Sequence, residues 1–162
     1  MALIVETGAV IANANSYISR ADAVTFVEDY YGEYDANAAA FLGLNDNRKD
    51  MVLRAGAAAL DCKYATRWRG YRVNRDQSLS WPRFDVVDED EYDLPYDEIP
   101  RRVKRAQVEL AMRIANSVAI FEDRERGGMI KSESVDVIAV TYMDSAPART
   151  DFESVETNIK GL

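Results

Sequence analysis

The chain contains no histidine and a single cysteine in 162 residues. Without histidine it lacks the commonest general base and the commonest transition-metal ligand. Catalysis would have to run on carboxylates, lysine or tyrosine. One cysteine, Cys62, excludes an internal disulfide. It lies in an alanine-rich helical pattern and is expected to be a small core residue. No apolar run approaches the length of a membrane span. The N-terminal stretch MALIVETGAVIANANSY has neither the charged head nor the long apolar segment of a signal peptide, so a reducing cytoplasm, or an assembly built there, is the expected setting. Phosphate-binding glycine loops, dinucleotide fingerprints and zinc clusters are also missing. No enzyme activity, cofactor, metal or membrane partner is expected.

What the chain does have is apolar mass and acid. Nearly half its residues are hydrophobic (48%), which suits one domain with a real core. The formal net charge is −8. Free nucleic-acid-binding domains usually carry a basic footprint, because phosphate neutralisation supplies most of their affinity. This chain as a whole repels DNA.

Periodicity predicts a mainly α fold: a small bundle of three main helices, a long inter-helix loop, a C-terminal β-hairpin and an extended tail. Ser19 can cap a first helix over 20–31, with Asp22 as the acidic partner three residues on and Gly32 as its stop. A second helix follows Asn45 or Asp46. Met51, Ala55, Ala58, Ala59 and Cys62 form one face, and Leu53, Ala57 and Leu60 continue round it. Its small residues suit close packing near the centre, which is the reason to keep Gly56 despite its helix cost. A third helix starts near Asp97, its expected cap, with Pro100 in the first turn. Val103, Leu110, Ile114, Val118 and Phe121 make its apolar stripe. Alternation from Val135 to Tyr142 predicts a strand with apolar side chains on both faces. Taken together, residues 1–143 read as one domain, with a bundle at 19–126, a loop at 65–97 and a hairpin at 129–143. Residues 144–162 read as the extended tail, with room for a short closing turn of helix near 152–159.

The loop RWRGYRVNRDQSLSWPRFDVVDEDEYDLP opens basic and aromatic and ends acidic. Arg67, Trp68, Arg69, Tyr71, Arg72 and Arg75 combine the residue types that stack on single strands with those that dominate protein–protein hot spots. The overall acidity favours the second use. The acidic run containing Asp88 and Asp90 lacks the glycine and ligand spacing of a calcium loop, so it reads as solvated or arginine-paired. The pairing arginines are either Arg101, Arg102 and Arg105 of the same chain or the basic half of a neighbouring copy. Trp68, Tyr71, Trp81 and Phe84 are expected to anchor the loop to its own bundle and to a neighbour. The hairpin, through Ile138, Val140 and Tyr142, is expected to pack on a partner. Subunit and partner contacts are therefore expected at Trp68, Arg69, Tyr71, Arg72, Trp81, Arg83, Phe84, Asp88, Asp90, Arg101, Arg102, Ile138, Val140 and Tyr142.

The ordered set ANANSYIS, RWRGYR, QSLSWPR, DEIPRRVKRAQVELA and GGMIKSESVDVIAVTY resembles tailed-phage head–tail connector (adaptor) proteins. It is closest to the branch labelled DnaT-like single-stranded-DNA-binding proteins. The resemblance spans about residues 10–145 and rests on the order of all five segments. It implies a ring, usually of twelve copies, joining a portal protein to a tail-side protein at the head–tail interface of a virion. Duplex DNA would pass through without specific binding. Twelve copies at −8 would place roughly 100 negative charges around such a channel, which disfavours adhesion. The DnaT-like label implies the alternative, a replication-type protein that binds single strands.

Overall fold

The computed structural model describes residues 2–88, 90–121 and 152–162, together with the backbone of two strands at 132–135 and 138–141. Among the described residues five α-helices stand where three main ones are expected. The first, α1 (Arg20–Tyr30), begins at the expected cap. The Ser19 hydroxyl accepts from the Asp22 amide at 3.1 Å and donates to its carboxylate at 2.7 Å. After Tyr31, Gly32 opens a short 3-10 turn. An additional helix, α2 (Ala36–Leu42), follows Asp35, whose carboxylate accepts from the Asn37 and Ala38 amides. The long helix α3 (Asp46–Lys63) is capped by Asn45.

The buried side of α3 is Leu53, Gly56, Ala57, Ala59 and Leu60. Most of the expected face is turned to solvent: Met51, Ala55, Ala58 and Cys62 are exposed, so Cys62 is not a core residue. Leucine side chains release far more apolar area on burial than alanine or cysteine. Leu53 and Leu60, two turns apart, therefore set the rotation of the helix.

The central element is α4 (Arg101–Ala115), which packs against α2, α3 and α5 (Glu153–Ile159) and is buried from Ala106 through Met112. Its N-cap is Pro100, and no side chain caps it. Asp97, the expected cap, is exposed three residues upstream. The helix stops earlier than the apolar stripe suggests, because Ser117 takes φ 59°. Val118 and Phe121 lie beyond the end and are exposed. A Cβ on Gly56 would sit 2.8 Å from the Gln107 carbonyl oxygen and 3.1 Å from the Ala111 amide nitrogen. The absent side chain is what lets α3 and α4 touch backbone to backbone.

Gln107, fully buried on α4, gathers two distant segments, the N-terminal arm and α3. Its carbonyl accepts the Tyr17 amide at 2.7 Å, and its amide donates to Ser16 Oγ at 2.7 Å and to the Leu53 carbonyl at 2.9 Å. This satisfies a polar side chain that would be costly to bury unpaired. One apolar cluster on this frame joins Trp68, Trp81, Tyr64, Leu110 and Val103; a second joins Val27, Phe41, Leu53 and Met112.

Two short antiparallel ribbons complete the described chain. β1 (Tyr71–Arg72) pairs with β2 (Arg83–Phe84) inside the long loop. β3 (Ser132–Val135) pairs with β4 (Ile138–Thr141), with Val135 opposite Ile138. Neither is the C-terminal element of the fold, because the chain runs on to α5. That helix stands where a short closing turn is expected, near 152–159, but it is docked rather than part of an extended tail: Phe152, Val155, Ile159 and Leu162 are buried in the first cluster. The short helix is stabilised by packing an apolar face, since seven residues are too few to be helical alone.

Candidate nucleic-acid interface

The loop between α3 and α4 is built as a platform. Trp68 and Trp81 form its base, edge to face with centroids 6.0 Å apart. Trp81 is fully buried and Trp68 nearly so, so Trp81 offers no surface to a neighbouring chain. Both rings serve the protein's own core, which accounts for one half of the expected anchoring. The Trp81–Pro82 peptide bond is cis. Gly70 takes φ 62°, and a Cβ there would lie 2.2 Å from the Phe84 carbonyl oxygen, so only glycine lets β1 close on β2 here.

Arg83 is the clamp of the ribbon. Its guanidinium donates to the carbonyls of Arg69 at 2.6 Å, Gly70 at 2.7 Å and Ser80 at 3.2 Å. Burial, followed by the neighbouring charge of Arg72, lowers its pKa from the usual arginine value. Gln77 holds the turn, donating to the Leu79 and Pro82 carbonyls and accepting the Asn74 amide. On the outer face, Tyr71 and Phe84 are register partners with ring centroids 5.7 Å apart. They remain 65% and 40% exposed. Arg67, Arg69, Arg72 and Arg75 of the same loop are also exposed. Arg67 also pairs with Glu156 of α5.

Beneath the ribbon lies a pair, buried at Tyr17 and half-buried at Asp61, that the sequence reading passes over. The Tyr17 hydroxyl donates to Asp61 Oδ1 at 2.6 Å, and the Ser80 amide donates to Oδ2 at 2.8 Å. The N-terminal arm, α3 and the base of the ribbon meet at this carboxylate. Its only sequence signal is a charged residue set directly beside the buried Leu60. Burial raises the Asp61 pKa above the ordinary 3.8, against the opposing hydrogen bonds and the Arg72 charge. Burial, with the Asp61 charge second, also pushes the Tyr17 phenol well up.

The sign of the linkage follows. The folded chain holds the Asp61 proton more tightly than the unfolded chain, so this contribution to stability is fully present below pH 3.8 and is lost as pH rises through the raised value. Asp61→Asn should remove that dependence. In urea melts across the acid range, wild-type stability relative to the variant is expected to fall as pH rises. Parallel curves would mean that Asp61 is not the group responsible.

The acidic half of the loop forms its own turn. Asp88 Oδ1 accepts the Asp90 and Tyr92 amides, each at 2.9 Å, and Val87 bridges Asp93. Among the described residues no ion pair joins this run to α4. Arg101 instead donates to the Tyr30 hydroxyl at 3.3 Å, and Arg102 to the Lys160 carbonyl at 3.2 Å. The pairing of the acidic run with these arginines within one subunit is therefore not what the structure holds. Asp88 is half-buried, and Asp90 is exposed. No group of three or more carboxylates and thiols among the described residues is arranged to hold a metal ion. No helix among them is long and apolar enough to cross a membrane.

Of the expected contact residues, the ribbon brings together Trp68, Arg69, Tyr71, Arg72, Trp81, Arg83 and Phe84. Arg101 and Arg102 sit apart at the start of α4. Ile138 and Val140 belong to β4, but their side chains, and Tyr142 altogether, lie outside the described residues. No curated protein and no solved structure matches the chain. One family model matches residues 1–162 from end to end, and the chain belongs to that family, described as "Putative DnaT-like ssDNA binding protein".

Proposed function

We propose that the protein binds single-stranded nucleic acid along the β1–β2 ribbon. The observation that carries this reading is the exposed Tyr71–Phe84 pair on a loop that also exposes four arginines. Aromatic faces stack on unpaired bases of any sequence, and arginines track the backbone phosphates. The overall charge of −8 does not forbid it. Residues 67–84 hold five arginines against one aspartate, a local net of +4. Charges beyond the screening length of about 8 Å at physiological salt contribute little.

Fluorescence anisotropy with a mixed-sequence single strand tests the proposal. Four phosphate contacts predict a log–log salt slope of about −3 for a single strand. Tyr71→Ala and Phe84→Ala should each weaken binding about ten-fold, the cost of one lost stack. Arg69→Ala with Arg72→Ala should flatten the salt slope. Undiminished binding in all these variants would remove the ribbon from consideration, and no binding at low salt would sink the reading.

A second reading is favoured by the net charge of −8 together with the order of motifs shared with head–tail connectors. In it the protein is a structural virion component, a ring of about twelve copies between portal and tail. Its acidity keeps passing duplex DNA from adhering, and the basic ribbon of one copy meets the acidic turn of the next in a heterologous, ring-closing contact. The mass of the purified particle separates the two. A ring whose Tyr71 and Phe84 become protected, with no affinity for single strands, favours the connector. A monomer that binds them favours the ribbon.

A further inference from the structure

The first turn of α4 crowds Arg101, Arg102, Lys104 and Arg105 together, and among the described residues none of the four makes an ion pair. Three of them, Arg101, Lys104 and Arg105, line one wall of an open cleft of about 420 Å³ between α4 and α1. Its aromatic side is Phe26 and Tyr30, with ring centroids 4.8 Å apart. Arg105 and Arg101 both donate to the Tyr30 hydroxyl, at 3.1 and 3.3 Å. The Arg105 guanidinium lies 5.0 Å from the Tyr30 ring centroid and 5.6 Å from that of Phe26. Its Nε is buried without a hydrogen-bond partner among the described residues. Tyr30 nevertheless remains 56% exposed. The α1 side of the cleft also carries the carboxylates of Asp22 and Asp29, and Glu6 of the N-terminal arm lines it as well.

We propose that this cleft binds one nucleoside monophosphate unit, with its base stacked on Tyr30 and its phosphate on Arg101 and Lys104. The argument is the mixed lining of the cleft: cations on α4 face an α1 surface that carries both aromatic rings and carboxylates. A bare polyanion would be repelled by these carboxylates. A nucleotide is itself two-ended, with a phosphate at one end and base-edge donors at the other. A carboxylate only accepts hydrogen bonds, so it suits guanine, which offers adjacent N1–H and N2–H groups. Thymine presents carbonyl oxygens on both sides of its single imino N–H and fits poorly. The volume lies within the range of small-molecule pockets.

The proposal rests on the reading of the chain as a single-strand binder, and the test keeps the two apart. The full-length protein is titrated calorimetrically with dGMP, dTMP and inorganic phosphate. Saturable dGMP binding is expected, with dTMP and phosphate at least about five-fold weaker. Tyr30→Ala and Arg101→Ala, both at exposed side chains, should each weaken dGMP about ten-fold. Tyr30→Phe should retain the stacking share. Equal affinity for phosphate and dGMP, no saturation, or indifference to Tyr30→Ala and Arg101→Ala would each overturn the site. One arm identifies the source of the nucleotide. A thymine oligomer carrying a single guanine should bind tighter than oligo(dT) if the cleft takes a base from a strand. Equal affinities alongside dGMP binding would assign it to free nucleotides. If dGMP binds and no oligonucleotide does, the cleft stands and the strand-binding reading falls alone.

Discussion

Removal of residues 152–162 is expected to abolish cooperative folding rather than to release a folded bundle without its tail. Phe152, Val155, Ile159 and Leu162 are all buried in the cluster that holds Tyr64, Trp68 and Trp81. Burying a large apolar side chain contributes about 1.5–3 kcal/mol, so four of them contribute about 6–12 kcal/mol. Total stabilities of domains run to only about 5–15 kcal/mol. The truncation also takes one hydrogen-bond donor from a buried carboxylate. Glu109 is held by the Tyr31 hydroxyl, by Arg113 at 2.6 Å and by Ser154 Oγ at 2.9 Å. Ser154 in turn accepts from Arg113 at 2.8 Å. Phe152 further shields the cations Lys63 and Arg113, whose charged groups lie 4.3 and 5.2 Å from its ring centroid. Thermal melts followed by circular dichroism check this. A sigmoidal transition within a few degrees of the full chain would show α5 to be peripheral.

Trp81→Ala is expected to cost about 3–5 kcal/mol, the range for truncating a large buried aromatic ring. In a domain of this size that lowers the melting temperature by roughly 6–20 °C. The ring is fully buried beneath the ribbon and in edge-to-face contact with Trp68, so the cavity is lined on all sides. Urea unfolding monitored by Trp68 fluorescence gives the number. A loss below about 1 kcal/mol, the usual scale for an exposed site, would contradict the packing. Phe84→Ala, at a half-exposed ring, should cost much less stability. The pair therefore separates what holds the platform from what the platform presents.

The parts of this fold that were legible in the sequence are those decided locally. Ser19 with Asp22, and Asn45 before α3, announce helix starts because a cap needs only three neighbouring residues. The mainly helical class follows from apolar spacing. Rotation of α3 was not legible, since a face of alanines and a cysteine matches a helical period while burying little area. The end of α4 was not legible either: Val118 and Phe121 continue the stripe, and only the left-handed backbone at Ser117 breaks it. α5 was legible as a short closing turn near 152–159, but its docking into the core was not. At the ribbon, the residue types were evident, but not which rings turn inward. Trp68 and Trp81 became core while Tyr71 and Phe84 became surface, a division set by Gly70 and the Arg83 clamp. The Tyr17–Asp61 pair and the Tyr30–Arg105 stack join residues 44 and 75 positions apart, a range that spacing rules do not reach.

The position of Gln107 bears on the order in which the chain acquires its structure. Its partners at Ser16 and Tyr17 lie 91 and 90 residues earlier in the chain. During synthesis at about 5–20 residues per second, those two must wait roughly 5–20 s for the side chain that completes them. The N-terminal arm thus leaves the ribosome well ahead of the side chain that completes its hydrogen bonds. It docks only once α3 and α4 have come together and Gln107 is turned inward to receive it.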